Sequence, residues 1–309
     1  MKTLLPRMVS RRETGERVAT IALGLTAYLD APADWAQGGI ASVFDEARAL
    51  LPEESLCCYV TSAMTRWAAM TPEGLDALRA ALAQRHVPLP VVQHGFSLAL
   101  ADDPGAPTLG MRYVEVDPAR ADRAAVLEFT LPAEGDPGAL FQLAMVLSRA
   151  GAVHSLTAGY ALRWNPRWRR EAFNYFHAWS RRFLGVDAGD PEELAWRAPT
   201  KLPSVNWLTL VGRSVAAAND LDLVTLVTRP WETDVKTFAT PAGLLLRAGE
   251  APTPGDLNAM ELPLAYAEVT DALAPLLIET PKDFWGAFLE ERGRTTRWHR
   301  RLLEPEGWS

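Results

Sequence analysis

The sequence predicts an α+β protein, with mainly antiparallel sheet flanked by helices. Three observations lead there. Strand-like and helix-like segments alternate through the first part of the chain, a similar alternation recurs after residue 120, and the last third opens with a hairpin. No linker-like stretch interrupts them, because Pro and Gly are scattered. One domain over residues 1–309 is therefore expected, with a division into two similar interleaved halves, 1–120 and 121–309, left open.

Val18–Leu29 is rich in strand formers. Asp34–Leu51 places Trp35, Ile40, Val43, Phe44, Ala47 and Leu51 at helical spacing and is closed by Pro52. Leu56–Ser62 reads as a short buried strand. Thr71-Pro72-Glu73 supplies a cap, a first-turn proline and an early acid, opening a helix over Pro72–Arg85. Val91–Leu100 and Met111–Val116 follow as strands, joined through the turn Asp103-Pro104-Gly105. Beyond them Ala124–Leu131 reads as strand, Pro137–Arg149 as helix and Ala152–Trp164 as strand. Trp168–Phe183 sets Phe173, Phe176, Trp179 and Phe183 on one helical face, and Val205–Val211 is an apolar strand. A hairpin of Val235–Ala239 with Leu244–Arg247 precedes two helices, Leu262–Ile278 and Lys282–Leu303, with Gly293 kinking or splitting the second.

Composition narrows function by exclusion. With 48% apolar and 22% charged residues, the chain can bury a real core. A net charge of −7 disfavours direct nucleic-acid binding driven by phosphate neutralisation. Eleven tryptophans are mostly core packing, although Trp is also enriched at interface hot spots. The only cysteines, Cys57 and Cys58, are adjacent, so they make neither a disulfide framework nor a zinc site and read as buried apolar thiols. The charged start, with Arg11, Arg12, Glu13, Glu16 and Arg17, does not fit a signal peptide, and the longest uncharged run, His86–Ala101, is broken by Pro88 and Pro90. A soluble cytoplasmic protein without a membrane segment is expected.

Motifs for chemistry are sparse. Phosphate-binding loops, zinc helices and Cys-x-x-Cys pairs are absent, and the five histidines stand far apart, so no metal or cofactor is expected. Gly95-Phe-Ser97-Leu-Ala99 approximates a nucleophile elbow, but Leu98–Asp103 continues like a strand where that elbow needs a helix. Asp234-Val-Lys236, with Asp220 or Asp222 upstream, matches the acid-x-Lys element of magnesium nucleases. Charge is uneven: Asp102–Asp136 holds eight acids against three arginines, while Arg163–Arg182 holds six arginines against Glu171. Such runs are solvated surface or a docking field that steers a charged partner.

One stretch carries more than the rest. Val205-Asn-Trp-Leu-Thr-Leu-Val-Gly212 sets Asn206 among apolar neighbours, followed at once by Trp207. Together with Gly159-Tyr160-Ala161, Leu184-Gly185-Val186-Asp187, Gly243–Gly249 and Pro252–Asn258, it resembles the type VI immunity protein family, firmest from about residue 150 onward. These residues read as structural. Alternation places Asn206 on a buried face with Leu208 and Leu210, where its amide needs partners, and Gly255-Asp256 fits a turn needing positive φ. Asn206, Trp207, Gly212, Gly249, Gly255 and Asp256 are thus expected to hold the fold.

The resemblance implies a stoichiometric, non-catalytic inhibitor that covers the active site of a cognate type VI toxin, for some members a nuclease. Against a basic nuclease cleft, acidic residues could stand in for phosphates. The expected toxin-binding groups are Asp102, Asp103, Glu115 and Asp117, or Asp187, Asp190, Glu192 and Glu193. A magnesium nuclease and an adaptor of the secretion machine remain as alternatives. The sequence does not specify an oligomeric state.

Overall fold

The computed structural model describes residues 5, 8–11, 13–30, 39–51, 55–84, 96–115, 123–149, 153–279 and 281–308. Its organising strand is β2 (Arg17–Leu29), buried on both sides except for partial exposure at its start and at Thr26. A strand covered on both faces reads as a continuous apolar run, which is why this segment stands out in the sequence.

The short β1 (Val9–Ser10) pairs with β2 off the main path. The remaining strands are β3 (Cys58–Thr61), β4 (Ala68–Ala69), β5 (Ser97–Ala101), β6 (Gly110–Val114), β7 (Ala125–Leu131), β8 (Val153–Trp164), β9 (Leu208–Gly212), β10 (Val235–Ala239) and β11 (Gly243–Ala248). They form one sheet in the order β10-β11-β9-β8-β2-β7-β6-β5-β3-β4, and its ladders are antiparallel. The two parts of the chain interleave: β2, from the first, lies between β7 and β8 of the second. Strand order does not repeat, however. From β2 the later strands run outward as β8, β9, β11, whereas β6, β5, β3 run from β7 in reverse chain order.

Register separates two faces. Leu23, Leu25 and Ala27 of β2 align with Leu131, Phe129 and Leu127 of β7 and with Tyr160, Ala158 and Leu156 of β8. Helix α3 (Pro137–Arg149) packs on β8, β2 and β9 and buries Leu140, Leu143, Ala144 and Leu147. Its spacing of three and four residues makes one apolar stripe, and the Asp136 side chain accepts from the Gly138 N–H at its start (2.8 Å). Helix α1 (Gly39–Ala49) packs on α3, and α2 (Pro72–Gln84) on α1 and β3.

Past β8, α4 (Arg169–Ser180) buries Phe173 and Phe176 against Phe284, Phe288 and Trp298 from the end of the chain. Short helices α5 (Pro191–Leu194), α6 (Arg213–Ala218) and α7 (Leu223–Thr228) follow, then α8 (Leu264–Leu273), which packs on β11. The expected helix over Lys282–Leu303 is not continuous. A 3₁₀ turn at Gly286–Glu290 and α9 (Arg294–His299) replace it, split by Gly293 at φ +79°, and α10 (Pro305–Trp308) closes the chain. Burial of Phe284, Phe288 and Trp298 fixes this path, which a straight helix could not follow.

The thiols also depart from expectation: Cys57 is exposed and Cys58 half-buried. Burial and the nearby Asp103 push the Cys58 thiol up to about 11. Among the described residues, no helix is long and apolar enough to cross a membrane.

Candidate functional site: a groove on the sheet

The face of β5, β6 and β7 turned away from the leucine layer mixes small, valine and charged side chains. Aligned rows of Ser97, Val114 and Val126, of Ala99, Arg112 and Glu128, and of Ala101, Gly110 and Thr130 make the floor of an open groove of about 1410 Å³. Small floor residues leave the depth, and the walls come from Trp67, from Trp164, Pro166 and Arg169, and from the turn around Asp190 that ends at Trp196.

Arg163 lies across this floor. The ring of contacts is specific: Nε donates to Thr130 Oγ1 (2.9 Å), and Nη1 lies 3.6 Å from Glu128. Its guanidinium occupies the space above Gly24, where any Cβ would sit 2.3 Å from Nη2. Any larger residue at position 24 would have to displace the Arg163 guanidinium. Glu128 also takes a bond from Arg112 (3.0 Å), and Arg112 reaches on to Glu192 on α5. The two carboxylates outweigh partial burial and raise the Arg112 pKa. Lys282 bonds Glu193 (2.7 Å), and Arg169 stacks on Trp164 and Trp285 while lying 3.9 Å from Asp190.

The two acidic groups, treated as alternatives in the sequence, meet here. Asp103, Glu115, Asp190, Glu192 and Glu193 all line the groove. Each has a distinct environment. Asp102 is caged: Arg17, the Thr108 hydroxyl and the N–H groups of Thr108 and Leu109 all donate to it. Burial alone would raise its pKa, but those bonds win and hold the carboxyl below its usual range. Asp103 caps its own turn through the N–H groups of Gly105 and Ala106. Glu115 is buried and accepts from the Tyr113 hydroxyl (2.9 Å). Asp117 lies outside the described residues.

Asp187 sits behind the groove, beside β8, holding Ser204 (2.6 Å) and the Ala188 N–H (2.9 Å). Burial raises its pKa, against the opposing pull of the buried Arg301. Asp190 caps α5 by accepting from the Glu192 N–H (3.1 Å), and burial with Glu193 and Glu192 raises its pKa. Glu192 and Glu193 are the carboxylates that face outward, on a turn held by pairs to Arg112 and Lys282.

Sequence reasoning missed the groove's Trp196, which is 51% exposed, and missed that Arg163 and Arg169 belong to it. Both arginines lie in the basic run noted above, but the face of β8 that Arg163 occupies and the place of Arg169 at the start of α4 depend on tertiary pairing that the run does not encode.

The other motif residues form a separate lock. Asn206 is buried, but β9 starts three residues later than expected, so Asn206 precedes the strand and does not alternate with Leu208. Its Nδ2 donates to Tyr160 O (3.2 Å), Oδ1 accepts from the Trp207 N–H (2.8 Å), and its own N–H donates to Thr209 Oγ1 (3.1 Å). A Cβ at Gly159 would lie 2.1 Å from that Oδ1. Trp207 donates its indole N–H to Gly249 O (3.1 Å). Gly255 has φ +64°, and Asp256 receives two bonds from Arg182 (both 2.7 Å) and one from the Asn258 N–H (3.0 Å). Gly212 passes so close to β8 that a Cβ would meet His154 O at 2.3 Å.

The nuclease motif is not assembled among the described residues. Asp234, just before the edge strand β10, pairs at 3.8 Å with Lys236 on it, and Asp222 caps α7 by accepting from the Val224 N–H. Asp220 turns the chain at φ +53°, and among the described residues no three His, Cys, Asp or Glu side chains gather as metal donors would. Ser97 begins strand β5 and is followed by no helix.

Comparison with known proteins fits this picture. Curated proteins give no match. Among solved structures, the Pseudomonas aeruginosa T6SS protein PA0821 shares the fold at TM-score 0.76 and 20% identity, over 97% of this chain and 90% of that one. A family model described as type VI immunity for VRR-NUC matches residues 39–302, spanning both the groove and the lock, and the chain belongs to that type VI immunity family.

Proposed function

We propose that the chain neutralises a cognate VRR-NUC-type nuclease by seating part of it in the groove, in one-to-one stoichiometry and in the cytoplasm, with no bond made or broken. The observation that carries this reading is the convergence of both acidic segments on one concavity that also holds Trp67, Trp164, Trp196, Arg112 and Arg169. Tryptophan and arginine are the side chains most enriched at interface hot spots, and a concave, part-apolar floor gives them a surface to close on.

The charges suit exchange rather than simple attraction. Glu192 and Glu193 are already paired, but Arg112–Glu192 and Lys282–Glu193 are exposed pairs worth about 0–1 kcal/mol each. A cationic side chain from a basic cleft can replace Arg112 or Lys282 at little cost. Arg112 would keep Glu128 as its partner.

The decisive experiment measures affinity for the nuclease and rescue of growth on co-expression. Replacing Glu192 and Glu193 together with Gln should weaken binding by about tenfold at low salt and flatten its salt dependence, since rim charges act mainly on association. Unchanged affinity and unchanged salt slope would remove the groove from the interface.

A further inference from the structure

A second constellation lies away from the groove, where the end of β2, the start of β8 and the end of β9 meet. His154, the second residue of β8, is buried, and its Nδ1 lies 2.7 Å from Ser214 Oγ. Its Nε2 faces Asp30, the residue after β2, at 3.6 Å. Ser214 itself is exposed.

The local chain reads Gly212-Arg213-Ser214-Val215-Ala216, with β9 ending at Gly212 and α6 beginning at Arg213. The order strand then helix matches that of a nucleophile elbow, but β9 runs directly into α6 and Ser214 is the second residue of the helix, not a strained turn residue. Here Gly212 lies against the carbonyls of Val153 and His154, an approach that no side chain allows, and that approach brings Ser214 to the imidazole. Ser214 has no positive φ; among the described residues only Asp220, Met260 and glycines do. Activation would thus come from His154 and not from backbone strain.

We propose that Ser214, His154 and Asp30 form a serine-hydrolase-type relay, giving this protein a slow acyl-ester hydrolase activity distinct from toxin neutralisation. The Asp30 carboxylate, 3.6 Å away and so outside hydrogen-bond distance, favours by charge the tautomer with its proton on Nε2, which leaves Nδ1 to accept. Burial lowers the His154 pKa, so the accepting neutral form prevails near pH 7. Ser214 Oγ attacks the acyl carbon as its proton passes to His154 Nδ1. The bond from acyl carbon to the alcohol oxygen breaks, and the alcohol leaves with the proton from Nδ1. Water then attacks the acyl-serine, gives a proton to Nδ1, and the serine oxygen leaves and recovers it. The sum is ester plus water to acid plus alcohol. An exposed serine suits short acyl chains that need no deep pocket.

The test uses the full-length protein with a fluorophosphonate probe and p-nitrophenyl acetate. The wild type should be labelled at Ser214 and turn over the ester. Ser214→Ala should abolish both, and His154→Gln should slow labelling by about a hundredfold, the lower end of what a general base supplies. Because Asp30 raises the His154 pKa, Asp30→Asn should move the acidic limb of the pH–rate profile to lower pH, a shift that a purely structural role would not produce. Absence of Ser214 labelling in the wild type, or equal turnover by wild type and Ser214→Ala, overturns the proposal. Ser214→Ala should still neutralise the nuclease, so the docking reading stands or falls separately.

Discussion

The lock around Asn206 and the groove over β6 use similar materials to opposite ends. Both contain arginines, carboxylates, tryptophan and glycine. In the lock most partners are fixed backbone: Asn206 on Tyr160 and Trp207, Trp207 on Gly249, Asp256 on Asn258, with the Arg182 pair to Asp256 as the side-chain exception. In the groove the partners are mostly long side chains, and Trp196, Glu192 and Lys282 face solvent. Backbone partners cannot be exchanged, whereas side-chain partners can. The lock therefore resists change and the groove is free to adapt to whatever it binds.

The largest expected effect tests the lock. Gly159→Leu forces a side chain into Asn206 Oδ1, and we expect a loss above about 4 kcal/mol, the range reserved for gross steric conflict. Asn206→Ala removes the acceptor for the buried Trp207 N–H and should cost about 1–3 kcal/mol by denaturant unfolding. In the groove, Trp196→Ala should leave the melting temperature within a degree or so while weakening nuclease binding by about 2 kcal/mol, some thirtyfold. A melting temperature that fell with Trp196→Ala would blur the contrast between the regions.

The smallest effect is pH-dependent. The Asp102 pKa is lowered in the fold, so its contribution is present above the unfolded value of about 4 and is lost as pH falls through the folded one. Asp102→Asn should therefore be less stable than wild type at pH 7, by about 1 kcal/mol, with the gap closing below about pH 4. A gap that persisted at pH 2 would mean that the cage acts by shape and not by charge.

The lock was nearly all readable in the sequence because its residues answer local demands. Gly255 supplies a positive φ, Asp256 caps its own turn, and a lone Asn in an apolar run must be satisfied. Most elements were legible for similar reasons; α3 and β10 fall where capping and spacing place them. The groove was only half readable. Its acids were visible, but their convergence depends on β5, β6 and β7 pairing with a segment some eighty residues later, as Arg112 with Glu192 shows. The segment Lys282–Leu303 does split at Gly293 as expected, but its first part is a 3₁₀ turn and not α-helix, where Phe284 and Phe288 pack on Phe173.

The position of β2 has one more consequence. An early segment that fits only between two later ones must wait, during synthesis, until residue 164 has left the ribosome before both its edges are covered. Contacts of such long sequence separation slow folding. Newborn copies would spend that interval with an apolar ribbon open on either side. Cutting the chain near residue 120 would leave two pieces, neither holding a complete sheet, and reassociation of the two would rebuild the seam rather than join finished units.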